Sequence, residues 1–187
     1  DLSKHLNFGK GKTNIIAVKA DNTVQPSSRY YTGAGIYRHV RLVATDPIHI
    51  DKWGVFITTP EASAQKATLK VQTAVSNESA KAAQITLETS VLDGAGKVVK
   101  TVQSKQSIAA NQSIKLDQSI ALSNPKLWNV ETPNLYQTLT KVIMGGKVID
   151  DQLNSFGIRT FKFDAATGFW LNGRNFKLKG ACLHHDG

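Results

Sequence analysis

The sequence predicts an all-β chain built around an antiparallel β-sandwich, on three observations. Apolar and polar residues alternate over short stretches along most of the chain. Turn-forming pairs recur between those stretches. No stretch keeps a 3.6-residue period over three turns, as an amphipathic helix would.

The elements follow in order. "NIIAVKADN" (14–22) is rich in β-formers and ends in a turn pair, and "GIYRHVRLVAT" (35–45) sets Ile36, Arg38, Val40 and Leu42 on one parity. Both predict strands. "ATLKVQTAV" (67–75) places Leu69, Val71, Thr73 and Val75 on one face. "QITLETSVLDGAGK" (84–97) does the same with Ile85, Leu87, Thr89 and Val91, then turns at Asp93-Gly94. "SIKLDQSIAL" (113–122) carries Ile114, Leu116, Ile120 and Leu122, and "LYQTLTKVIMGGKVIDD" (135–151) predicts a hairpin folded at Gly145-Gly146. In "LWNVETPNLY" (127–136), Pro133 interrupts pairing, and Trp128 and Tyr136 are large side chains that need both burial and a polar partner. Tyr136 is expected to form a tyrosine corner at the start of a late strand, as in immunoglobulin-like domains.

Residues 1–45 are too few for a domain of their own and look like the closing strands of a larger sheet, with exposed edges. At the other end, "GFWLNGRNFKLKG" (168–180) predicts a hairpin at Asn172-Gly173, since that pair favours the positive φ a two-residue turn needs. The second strand is expected to run on past Phe176, with Leu178, Gly180, Cys182 and His184 on one face. Two elements thus look incomplete, and the N-terminus, which lacks a Met, does not look native.

Composition bounds the function classes. With 187 residues and 41% hydrophobic side chains, the chain can bury a core, so disorder is not expected. No apolar run approaches the ~20 residues of a membrane helix. The single cysteine, Cys182, excludes an internal disulfide. The net charge of +9 comes from scattered Lys and Arg without a block of like charge, so a nucleic-acid partner is not expected.

Three segments, in this order and spacing, resemble glycoside hydrolase family 2 from end to end of the chain. "GAGIYRHVRL" (33–42) is similar to the strand that closes the family's N-terminal jelly roll, and "LWNVETPNLY" to the late-strand signature of its immunoglobulin-like second domain. "FGIRTFKFDAATGFWLNGRNFKLKGACLHHDG" (156–187) is similar to the passage into the first strand of the (β/α)8 catalytic barrel. The resemblance implies three parts: incomplete jelly-roll strands (1–46), an immunoglobulin-like β-sandwich (47–163), and an entry hairpin with the first barrel strand (164–187). It also implies a non-catalytic fragment of a retaining β-glycosidase, β-galactosidase-like first, β-mannosidase or β-glucuronidase next. The remaining domains of the same chain would be its partners. No cofactor or membrane partner is implied, a homo-oligomer is compatible, and a periplasmic or secreted parent is favoured, with cytoplasm left open.

The family's two catalytic carboxylates are glutamates on later barrel strands, set ~5–5.5 Å apart for retaining hydrolysis. This chain has four glutamates: Glu61, Glu78, Glu88 and Glu131. Asn77-Glu78 copies the Asn-Glu pair of the family's acid/base motif but lies in "SNES", a turn between sandwich strands, so no catalytic role is expected. Glu131 belongs to the 127–136 signature and is expected to be structural.

Substrate contacts in the intact enzyme are expected from two places. His184 aligns with the histidine of the family's G-x-N-R-H pattern, although Cys182-Leu183 stand where Asn-Arg is frequent; a neutral imidazole offers a sugar hydroxyl one donor and one acceptor. His185 and Asp186 follow it. The loop "DNTVQPSSRYYTGAG" (21–35) offers Asp21, Asn22, Arg29 and Tyr30, either to the sugar or to the interface between the first two domains. A zinc site at Cys182, His184 and Asp186 is not expected, because adjacent histidines on a strand face opposite ways and His5, His39 and His49 are isolated. The alternative reading is a stand-alone β-sandwich that binds carbohydrate or protein; it leaves the residues after the last sandwich strand without a purpose.

Overall fold

The computed structural model describes residues 2–21 and 35–182. The chain divides into two units, one of residues 1–42 and 180–187 and the other of Val43–Lys179. The first contains a short 3₁₀ turn, Ser3–His5. Asn7 and Asn14 tie the following loop together: the Asn7 N–H donates to Asn14 Oδ1 (2.7 Å) and Asn14 Nδ2 to the Asn7 carbonyl (3.0 Å).

The second unit is all-β. Seven strands form the sandwich: β1 (Ile48–Ala62), β2 (Lys66–Asn77), β3 (Ala83–Leu92), β4 (Val98–Ile108), β5 (Gln112–Ser123), β6 (Tyr136–Met144) and β7 (Lys147–Phe156). One antiparallel sheet has the order β1-β2-β5, the other β4-β3-β6-β7. A small third sheet follows, of β8 (Phe161–Asp164), β9 (Gly168–Leu171) and β10 (Arg174–Phe176) in the order β10-β9-β8.

The inward parity is the one the alternation predicts. Leu69, Val71 and Val75 of β2 and Ile85, Leu87 and Val91 of β3 are all buried. Burial divides into two apolar clusters. One holds Leu69, Val71, Val91, Ile120, Leu122 and Tyr136. The other holds Ile48, Ile50, Val75, Ile85, Leu87, Ile108 and Val142. Between them, at the same inward parity, lie Thr73, Thr89, Thr140 and Gln118. Gln118 Nε2 reaches from one sheet to the other, donating to the Leu87 carbonyl (3.1 Å) and Ser104 Oγ (3.0 Å). These bonds pair the Nε2 donors, whose burial unpaired would cost about 1–3 kcal/mol by mutational measures, while the Gln118 Oε1 is buried without a protein partner.

Both predicted two-residue turns are present, with positive φ at Gly145 (57°) and Gly146 (78°) and at Asn172 (50°) and Gly173 (78°). The corner is present too: Tyr136, buried at the start of β6, accepts a hydrogen bond on its hydroxyl from the Lys126 N–H (3.0 Å), ten residues upstream.

Three predicted stretches are not strands. In 14–21 and 35–45 no described residue joins a ladder. Alternation supplies a face, but a strand also needs a neighbouring edge for its backbone groups. The strand expected past Phe176 stops there, because Phe176 pairs with Phe169 and the next residue of β9, Gly168, already belongs to the turn side of the β8 pairing.

Two sandwich strands carry no clear alternation. β1 breaks register between Ile50 and Val55 and again between Thr58 and Glu61. The first break is a bulge with Trp53 at φ 56°, where Gly54 is required: a Cβ there would lie 2.7 Å from the Asp51 carbonyl oxygen. Pro60 at the second break is tolerated because β1 is an edge strand. β4, the other sheet's edge, leaves Val98 and Val99 exposed.

Candidate functional site

The six residues expected to meet substrate (His184, His185, Asp186, Asn22, Arg29 and Tyr30) lie outside the described residues. Asp21 is described and forms an ion pair with Lys19 at 3.4 Å. Cys182 is a free, exposed thiol. Among the described residues no three His, Cys, Asp or Glu side chains gather as a metal site would require.

The four glutamates sit on four different elements. Glu88, on β3, faces its two ladder neighbours, accepting from Gln103 Nε2 (2.6 Å) and pairing with Lys141 (3.6 Å). Glu61, at the end of β1, is 3.9 Å from Lys66 and lines an open surface hollow with Ser63 and Thr160. Glu131 pairs with Arg174 at 3.4 Å. Glu78 is exposed in the β2–β3 turn, and its partner in the sequence motif is structural. Asn77 is 1% exposed, and its Nδ2 donates to the carbonyls of Lys81, Ile108 and Ala109 while Oδ1 accepts from Ser79. Exposed pairs of this kind contribute ~0–1 kcal/mol each. Among the described residues the four glutamates are not brought together as a pair.

A polar network lies where the sandwich meets the small sheet. The loop before β6 is closed by Asn129, whose Oδ1 accepts from the N–H groups of Glu131 and Thr132 (both 2.8 Å), and by a bridge between Trp128 and Pro133. The Trp128 N–H donates to the Ile158 carbonyl (2.8 Å). Its ring lies against Gly157, where a Cβ would come within 2.7 Å of Trp128 Cβ and Cγ, and under the Arg159 guanidinium, 4.6 Å from the ring centre. Thr59 Oγ1 donates to the Arg159 carbonyl. From the far side, Asn172 at the tip of the β9–β10 hairpin donates through Nδ2 to the Trp128 carbonyl (2.9 Å). Its Oδ1 accepts from the Thr160 N–H (3.0 Å), and its own N–H donates to the Thr160 carbonyl (2.9 Å). The sequence marks Asn172 as a turn former; that among Gly, Asp and Asn, the residues favoured at this positive-φ position, only the Asn amide carries both a donor and an acceptor is the signal for this second role.

The opposite turn of the same sheet holds itself. Asp164 Oδ1 accepts from Thr167 Oγ1 (2.8 Å) and from the N–H groups of Thr167 (2.9 Å) and Ala166 (3.1 Å). The Thr167 hydroxyl, then its N–H, then that of Ala166, hold this carboxyl below its ordinary value.

Fold and site together define an all-β segment in which a sandwich is latched to a small sheet. The chain belongs to the glycosyl hydrolases family 2, whose model matches residues 48–159. It is 39% identical over its whole length to beta-galactosidase BoGH2A of Bacteroides ovatus, covering 22% of that protein. It is 31% identical to a beta-glucuronidase of Bacteroides fragilis, over 94% of this chain and 27% of that one. A crystal structure of a glycosyl hydrolase family 2 member from Bacteroides cellulosilyticus superposes with a TM-score of 0.81 at 39% identity, covering 84% of this chain and 22% of that one. The chain thus spans about a fifth to a quarter of the length of these relatives.

Proposed function

We propose that this chain is the non-catalytic connecting part of a retaining β-glycosidase of β-galactosidase-like specificity, which removes terminal β-linked sugars in its intact form. The observation that carries this reading is identity running through the full chain to a beta-galactosidase of which the chain covers only 22%. Residues 1–46 are read as strands of a jelly-roll domain, the sandwich as a spacer, and the segment after it as the entry to a catalytic barrel, so the partners are other domains of the same polypeptide. In the intact enzyme His184, with His185 and Asp186, contacts sugar hydroxyls, and Asn22, Arg29 and Tyr30 approach from the N-terminal part. An imidazole there binds and orients the sugar; the bond-breaking carboxylates come from elsewhere in the enzyme.

The test uses nitrophenyl β-galactoside. The full-length enzyme is expected to hydrolyse it with retention at the anomeric carbon, and His184→Ala to lower kcat/KM by roughly 10- to 100-fold, as when hydroxyl-positioning contacts are lost. The purified 187-residue chain is expected to show no turnover. Turnover by the chain alone, or an unaltered His184→Ala enzyme, would contradict the reading.

A further inference from the structure

The two turns of the small sheet differ in what they hold. The β8–β9 turn is closed entirely within the small sheet, by partners within three residues of Asp164 and by Asn175 Nδ2 on the Thr167 carbonyl (2.6 Å). The β9–β10 turn reaches Thr160 and Trp128, 12 and 44 residues away. A two-residue hairpin turn needs only a residue that tolerates positive φ, so Gly or Asp would close it equally well. Asn172 adds a donor and an acceptor aimed at two separate segments, and both segments are themselves fixed. Trp128 is pinned by Ile158, Gly157 and Arg159, and Ile158 is fully buried. The sheet has little core of its own to set its place: Phe161 and Phe163 are 61% and 71% exposed, and Leu171 is its one buried hydrophobic side chain.

We propose that Asn172 is a positioning residue of the intact enzyme. By latching the hairpin tip to Trp128 and Thr160, it fixes the point on the sandwich from which the chain leaves Phe176 toward His184. The inference rests on the role given to His184 above. Its cost when lost is geometric: displacement of a positioning segment by about 1 Å lowers turnover by about 100-fold.

The test is made on full-length enzyme with Asn172→Gly, which keeps the turn and removes both side-chain bonds, and Asn172→Asp, which keeps the acceptor and loses the donor to Trp128. Hydrogen exchange at the Thr160 amide reports the latch, and kcat is expressed per site counted with a covalent active-site titrant, so that loss of folded protein does not enter. The expected result is lost Thr160 protection with kcat per site down by roughly 10- to 100-fold for Asn172→Gly, and a smaller fall for Asn172→Asp. Thr160 protection retained in Asn172→Gly overturns the latch. Protection lost with kcat per site unchanged overturns the positioning role. If His184→Ala is unaltered in kcat and KM, the role of His184 fails instead, and the exchange result still decides the latch.

Discussion

Residues 35–42 and 67–75 carry the same kind of alternation and end in opposite states. Ile36, Val40 and Leu42 are 62%, 77% and 79% exposed, whereas Leu69, Val71 and Val75 are at most 1% exposed. The second stretch pairs on both sides, with β1 and β5, and faces a second sheet. The first has no ladder partner among the described residues. An apolar stripe is thus necessary for a sandwich strand and insufficient without an edge to join.

The sharpest way to break this contrast is to truncate one leucine in each region. Leu69→Ala, at a fully buried site, is expected to cost about 2–5 kcal/mol, read as a lower urea midpoint of the sandwich transition. Leu42→Ala is expected to move that midpoint by less than ~0.5 kcal/mol. Equal losses would mean that Leu42 has a packing partner. Next comes Tyr136→Phe, which keeps the ring in its cluster but removes the acceptor of the Lys126 N–H. A loss of about 1 kcal/mol in thermal unfolding is expected, and unchanged melting would deny the corner a stabilising role. The smallest effect is local and depends on pH. The folded Asp164 carboxyl binds its proton less tightly than the unfolded chain does, so its contribution is complete above the unfolded value of about pH 4 and fades as pH falls through the lower folded value. The Thr167 amide signal in an NMR titration should follow that lower value.

How much the sequence discloses follows from how local each cause is. The inward faces of β2, β3 and β5, the Gly145-Gly146 and Asn172-Gly173 turns and the Tyr136 corner are written in neighbouring residues, and they are legible. β1 is not, because the Trp53-Gly54 bulge and Pro60 interrupt its period. β4 is not, because the inward parity that holds Val102 and Ile108 also carries Lys100, Ser104 and Gln106, so its pattern is not apolar in alternation, and Val98 and Val99 face solvent. β8 was hidden by its length of four residues, and begins within the stretch expected to end the sandwich. Of the latch, the turn is legible at Asn172-Gly173, but its bond to Trp128 depends on a contact 44 residues distant. The residues proposed for substrate rest on family likeness.

The row of Thr73, Thr89, Thr140 and Gln118 across the sandwich interior has a mechanical consequence. Apolar packing is thinned there to the contact of Val55 with both clusters, so the two ends of the sandwich are cemented largely separately. Such a partition allows one end to open transiently while the other stays shut.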